Sequence, residues 1–359
     1  MLNLLRNSAQ WLFRRPALWV ADQFSSAPKE SAVFDSLSKL YQSIILKPGK
    51  KGIVLPVNLQ SDRFIIFSDL HKGTGDGADD FKAALPNYLA ALEYYQAHQF
   101  HYINLGDSEE LWENSLLGVM DAYASTFEAE KKFVERNAFT KIYGNHDLFW
   151  DNDPFAPVYL KKLYGKVVPI YSGVVLRMQG ASGNLDIFCT HGHQGDQQSD
   201  GNAFSKWFVS YIWGPLQSFL ELNPNSPSSN DHLKTTHNHF MYEWSAKQDH
   251  VLLITGHTHQ PVFESLTHLE RLYLRLEEAT AKNDFNAMQK TLEEIPKRKQ
   301  QYSFVNSTYK EMRPTYFNTG CCCYANGNIT GIEIAEGKIR LIKWSQSAAR
   351  EVLEEADFG

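Results

Sequence analysis

The sequence predicts an α/β fold, and two observations carry that prediction. Short apolar runs of strand length alternate with stretches of helical periodicity, and the order strand, polar motif, helix recurs along the chain. Five of the strand-like runs stop at a motif rich in Asp, Asn or His: Asp69-Leu70-His71, Gly106-Asp107, Gly144-Asn145-His146-Asp147, His191-Gly192-His193 and Gly256-His257-Thr258-His259. Open α/β sheets keep their working groups outside the carboxyl ends of the strands, so these tips can converge in one crevice.

With 359 residues the chain can bury the core of one α/β domain with insertions. Its formal net charge of -6 gives no general attraction for a nucleic-acid backbone, and no nucleic-acid partner is expected. The basic clusters Lys47, Lys50, Lys51 and Lys297, Arg298, Lys299 read as solvated charges. The four cysteines, Cys189 and the run Cys321, Cys322, Cys323, lack the spacing of a zinc ribbon. They fit a reducing compartment as small buried residues in strands, which makes a cytoplasmic location the expectation.

Residues 1–52 read as an N-terminal extension that closes on the basic turn Lys47-Pro48-Gly49-Lys50-Lys51-Gly52. Leu2, Leu5, Ala9 and Leu12 share one helical stripe, with Trp11, Phe13 and Trp19 close by. This pattern suits a helix docked on its own core, or else one lying on anionic lipid, hence a peripheral membrane contact.

A catalytic domain is expected over 53–345. Strands are predicted at 63–67, 101–105, 140–143, 185–190 and 251–254, and helices at 86–97 and around 127–134. Residues 174–178 read as hairpin material. Segment 196–250 reads as an insertion, with a strongly aromatic helix at 204–213 and a Pro/Ser/Asn-rich loop at 223–230. It either roofs the site or packs on the core. Segment 265–300 carries Leu266, Leu269, Leu272 and Leu276 on one face and breaks at Lys282-Asn283-Asp284, which predicts a helical hairpin. A strand returns at 315–320, and 329–334 with 339–344 form a closing β-hairpin around Glu336-Gly337. Residues 346–359 read as a peripheral acidic tail.

The candidate metal ligands are Asp69, His71, Asp107, Asn145, His191, His257 and His259. Carboxylate, imidazole and amide donors without thiolate suit borderline divalent ions such as manganese, iron, zinc or cobalt. Seven ligands are too many for one ion and enough for two if a carboxylate bridges, and Asp107 is the natural bridge. Two-metal hydrolases lower the pKa of a bound water and stabilise charge on a transferring phosphoryl group. His146, beside Asn145, is the candidate donor to a leaving group, and Asp147 either fixes its tautomer or caps a loop. Lys72 and His193 are candidate contacts to substrate phosphate, or else a loop lysine and a solvent-facing turn histidine. Glu109 and Glu110 read as caps of the following helix rather than ligands.

The five motifs in this order, with Asn318-Thr319-Gly320 after the last, resemble the calcineurin-like metallophosphoesterase superfamily. The resemblance implies a four-layer α/β/β/α sandwich. It also implies one metal, manganese first with iron or zinc as alternatives, held by Asp69, His71, Asp107 and His259. Asp107, Asn145, His191 and His257 would hold a second.

Within the superfamily, Leu105-Gly106-Asp107 with Glu110 and Trp112, then Asp200, Ala203, Phe204 and Trp207, then His257-Thr258-His259-Gln260-Pro261 are similar to bacterial UDP-diacylglucosamine pyrophosphatases. That likeness implies a cap over acyl chains at 204–219 and a phosphorylated, lipid-linked substrate. The chain departs from it at His146, where the commonest form has an arginine. The expected function is metal-dependent hydrolysis of a phosphate ester or pyrophosphate. A soluble nucleotide phosphodiesterase or a protein phosphatase is the alternative, ahead of a nuclease or a catalytically silent binding module on the same fold.

Overall fold

The computed structural model describes residues 29–77, 79–180, 183–195, 231–302, 304–345 and 348–358. The amphipathic stretch of 1–28 and the aromatic segment 204–219 lie outside the described residues. The chain runs α1 (Glu30–Leu46), β1 (Gly52–Val57), β2 (Phe64–Phe67), α2 (Leu85–Ala97), β3 (His101–Leu105), α3 (Leu116–Ala122) and α4 (Ala124–Glu135). It continues through β4 (Phe139–Ile142), α5 (Phe149–Asn152), α6 (Ala156–Tyr164), β5 (Ile170–Tyr171), β6 (Gly173–Gly180) and β7 (Gly183–Thr190). The remainder is α7 (Asp231–Ala246), β8 (Val251–Thr255), β9 (Val262–Phe263), β10 (Leu266–Thr267), α8 (His268–Ala281), α9 (Phe285–Lys299), β11 (Tyr316–Asn318), β12 (Ile329–Ala335), β13 (Lys338–Trp344) and β14 (Arg350–Asp357).

These strands form two seven-stranded sheets, ordered β1-β6-β7-β8-β11-β9-β10 and β14-β13-β12-β2-β3-β4-β5. Period-2 alternation divides each central strand between two layers. On β2, Phe64 and Ile66 join an inter-sheet core with Ile103, Leu105, Val174, Ile254 and Ile332, while Ile65 and Phe67 face a second core with Tyr88, Tyr95, Phe127 and Leu160. A third core packs Val33, Leu37 and Ile44 of α1 and Met241 and Trp244 of α7 against Val175, Phe188 and Leu253. The result is the four-layer α/β/β/α sandwich.

Two boundaries differ from the expectation. The described part of the extension expected over 1–52 is not an appendage, because α1 buries its apolar stripe on the first sheet and the chain from Gly52 pairs in parallel with β6 as β1. Residues 350–357 are not a peripheral tail. They form β14, the edge strand beside β13. The alternation of charge with Val352, Leu353 and Ala356 serves a half-exposed edge, which composition alone made look solvated.

The helical hairpin forms as expected, with the break at Lys282–Asp284 separating α8 from α9. A capping box starts α8, where the Thr267 hydroxyl accepts from the Glu270 N–H and the Glu270 carboxylate accepts in return. The cysteine run sits in the turn after β11, not in a strand, with Cys321 and Cys322 buried and Cys323 half-buried.

Candidate metal centre

The candidate ligands stand where strands of both sheets end, and the backbone turns there in an uncommon way. Asp69, His71, Asp107, His257 and His259 all have positive φ, between 49° and 70°. L-residues rarely adopt this left-handed region, at a cost on the order of 1 kcal/mol or more each. The turn sends the backbone away while the side chain stays at the tip. The motif glycines answer a second demand: a Cβ at Gly144 would collide with the Asp107 carboxylate, and one at Gly256 with Ser68 and Asp69.

Backbone bonds zip the tips together. Asp69 N–H donates to Gly106 O and His71 N–H to Asp107 O, both at 3.0 Å, and Gly256 N–H donates to His191 O at 2.9 Å. The Asn318 amide donates to Gly256 O at 2.7 Å, which ties the histidine turn to β11.

Two adjacent cages result. In the first, His71 Nε2 lies 3.2 Å from His259 Nε2 and 3.8 Å from Asp107 Oδ2, and His259 Nε2 lies 3.3 Å from Asp69 Oδ1. In the second, His191 Nε2 is 3.1 Å from Asp107 Oδ2 and 3.2 Å from Asn145 Oδ1, and His257 joins Asp107 and His191 within 4.8 Å. Donors about 2.1 Å from one ion sit roughly 3.0 to 3.5 Å apart when adjacent, so these spacings fit divalent ions.

The other ring nitrogens are occupied in the way metal-ligating imidazoles require. His71 Nδ1 meets Glu110 Oε2 at 2.9 Å, and His191 Nδ1 meets Leu105 O at 3.0 Å. His259 Nδ1 faces Cys323 Sγ at 3.9 Å. His257 Nε2 is buried with no hydrogen-bond partner among the described residues, a donor atom in want of a ligand.

Electrostatics agree. Burial works against charge on every group here; the site's carboxylates overcome it at His71 and His191, whereas burial with the neighbouring His191 and His237 keeps His257 well below the usual imidazole range. Desolvation lowers His71, but Glu110, Asp107 and Asp69 raise it to about 10. His191 rises to about 9 against the same burial, through Asp107 and Asp69. Burial also raises Asp107, but His191 and His146 hold it well below the usual carboxylate range. A field that retains a proton on buried imidazole also attracts a cation.

Other expected roles change. His146 is partnered by Glu110 rather than Asp147, with its Nδ1 2.7 Å from Glu110 Oε2. Asp147 is buried and accepts the N–H groups of Ser108 at 2.9 Å and Gly144 at 2.6 Å, so it pins two ligand loops together. Burial raises its pKa to about 6. Lys72 is no phosphate contact. It is fully buried, 3.1 Å from Glu109 and 3.2 Å from Glu130, with its ammonium over the Phe127 ring. A lysine following a ligand looks available in sequence, but the strand-end turn points it into the core. Glu109 does not cap a helix, since it lies between Lys72 and Lys141. His193 is buried beside His191 and Tyr143 rather than solvent-facing.

Sequence reasoning missed two contributors. Glu110 holds both His71 and His146. His237, on α7, bonds Gly192 O through Nε2 at 2.6 Å and lies 5.2 Å from the His257 ring. Glu110 carried a signal in being three residues past Asp107, whereas His237 carried none.

A layered α/β/β/α sandwich with carboxylate and imidazole cages at its strand tips defines a metal-dependent phosphoesterase. Residues 62–261, more than half of the chain, match the family described as calcineurin-like phosphoesterase, and the chain belongs to that family. No curated protein matches the sequence. Among solved structures it is similar to a predicted phosphoesterase from Streptococcus pneumoniae, with 11% identity over 82% of this chain and 97% of that one and a TM-score of 0.30. Vacuolar protein sorting 29 from Cryptosporidium parvum is similar at 12% identity over 82% of this chain and 98% of that one, with a TM-score of 0.34.

Proposed function

We propose that the protein hydrolyses a phosphate ester or pyrophosphate at a dinuclear centre bridged by Asp107. The observation that carries this reading is the shared carboxylate: Asp107 Oδ2 lies 3.8 Å from His71 Nε2 in one cage and 3.1 Å from His191 Nε2 in the other. Asp69, His71, Asp107 and His259 would hold one ion, and Asp107, Asn145, His191 and His257 the other. Manganese, iron or zinc suits this oxygen and nitrogen set. When bound, such ions supply a nucleophile at neutral pH and neutralise charge on the phosphoryl group.

The chain's own residues do the rest. Glu110 holds the Nδ1 edge of His146, which leaves Nε2 to give a proton to the departing oxygen as the phosphorus–oxygen bond breaks. Asp107 Oδ1 accepts the His146 backbone N–H at 2.8 Å, so the proton donor and the bridge move as one unit. All seven ligand positions are filled, which favours catalysis over a silent binding module. The finer expectation of a lipid-linked substrate rests on 204–219 and 1–28, outside the described residues.

The test is hydrolysis of nitrophenyl phosphate by purified protein with added manganese. Wild type is expected to turn over only with metal, and Asp107→Ala to lose at least about a hundredfold. Equal rates for the two proteins sink the assignment.

A further inference from the structure

A cavity of about 270 Å³ opens against His146 and is walled by Leu111, Trp112, Leu116, Leu148 and Phe149. Its polar lining is Asn114, Ser115, Asn152 and Asp153, and no lysine or arginine among the described residues lines it. Trp112 stacks on the His146 ring with centroids 4.1 Å apart and planes 21° apart, so one aromatic wall runs directly into the candidate centre. His146 also meets His71, a candidate ligand of the first cage, edge to face at 4.6 Å between centroids. His146 thus borders both the first cage and an apolar slot.

That placement says what the slot is for. On the reading proposed above, His146 gives its proton to the oxygen that leaves phosphorus, so whatever that oxygen carries must lie beside His146 and away from the ions, where this cavity opens. Among the described residues, a second phosphate or a nucleotide polyphosphate would find no cationic side chain there. A flat aromatic or short alkyl group would find Trp112, Leu111 and Phe149. The volume is that of roughly nine waters at about 30 Å³ each, room for a fused ring pair or a short chain.

We propose that this cavity is the leaving-group subsite and that it selects phosphate esters whose leaving group is aromatic or short alkyl. The inference rests on the phosphoesterase reading for its orientation, while the cavity's preference for apolar groups can be measured without turnover.

Steady-state kinetics on 1-naphthyl phosphate and glycerol phosphate, with wild type, Leu111→Gln and Phe149→Ala, test the proposal. Both substituted positions are half-buried wall residues outside the ligand set. The variants are expected to raise KM for naphthyl phosphate about tenfold, the worth of an apolar pocket contact, and to change KM for glycerol phosphate, whose leaving group is a polyol, far less. Equal effects on both substrates overturn the subsite. Calorimetric titration of the manganese-loaded proteins with naphthylmethylphosphonate separates the two readings. Binding by wild type that weakens in both variants supports the subsite even if no ester is hydrolysed, in which case only the hydrolase reading fails. Equal binding by all three proteins, or none by wild type, overturns the subsite.

Discussion

The Glu110 carboxylate touches two imidazoles with different duties, His71 at 2.9 Å and His146 at 2.7 Å. Burial raises its pKa, but His146 and His71 outweigh burial and hold it at about 2, so it is charged at any working pH. Outer partners of metal-ligating histidines typically carry 10- to 100-fold in affinity or activity. Glu110→Gln is therefore expected to weaken manganese binding by about tenfold or more and to lower kcat, measured by metal titration and kinetics. An unchanged metal affinity would contradict this role. His101 makes a separate prediction about stability. Its Nε2 meets Thr140 Oγ1 at 2.9 Å, and burial together with Arg136 lowers its pKa from 6.5 to about 4. The unfolded chain accepts a proton here that the folded one refuses, so the stability contribution is full above pH 6.5, falls as pH drops toward 4, and levels below that. The loss is at most about 3 kcal/mol, and thermal melts of His101→Gln should be flatter over this window than those of wild type. Parallel curves would contradict it.

The elements were legible in the sequence where periodicity and turn chemistry agreed. The strands ending at Asp69, Asp107, Asn145, His191 and His257 appear within a residue or two of their expected limits, because buried central strands read as continuous apolar runs. The edges were not legible. In β14 every residue pairs with β13 or bulges beside it, yet the charges that make it look like a solvated tail are its tertiary contacts. Arg350 meets the buried Glu333 at 2.7 Å, and Glu354 meets Arg271 of α8 at 2.9 Å. Ending the chain at Ser345 is expected to cost about 3 kcal/mol, the scale of breaking a buried ion pair, and to loosen α8. Urea unfolding measures the loss, and an unchanged midpoint would restore the view of 346–359 as an appendage. Lys72 and Glu109 were misread for a related reason. Sequence shows that a charge is present, but whether it faces solvent depends on a strand-end turn that no local pattern records.

At the scale of the molecule, the fold serves to bring strand tips from two sheets to one place. β2, β3 and β4 of one sheet deliver Asp69, His71, Asp107 and Asn145, while β7 and β8 of the other deliver His191, His257 and His259. The inter-sheet core of Ile66, Leu105, Ile254 and Ile332 sets the register between the two groups. Residue types and spacing marked the candidate ligands, and the structure brings those residues together. Of the partners that orient them, Glu110 carried a spacing signal and Asp147 stood out beside His146, but their duties were not legible and His237 carried no signal, since these contacts exist only once the sheets have met. The central claim is that two ions share Asp107, and metal content measured by mass spectrometry after manganese loading and desalting tests it most directly. About two ions per chain are expected for wild type and fewer than about one for Asp107→Ala, because a bridging ligand serves both sites. One ion or none in wild type, or two retained in the variant, would contradict the account.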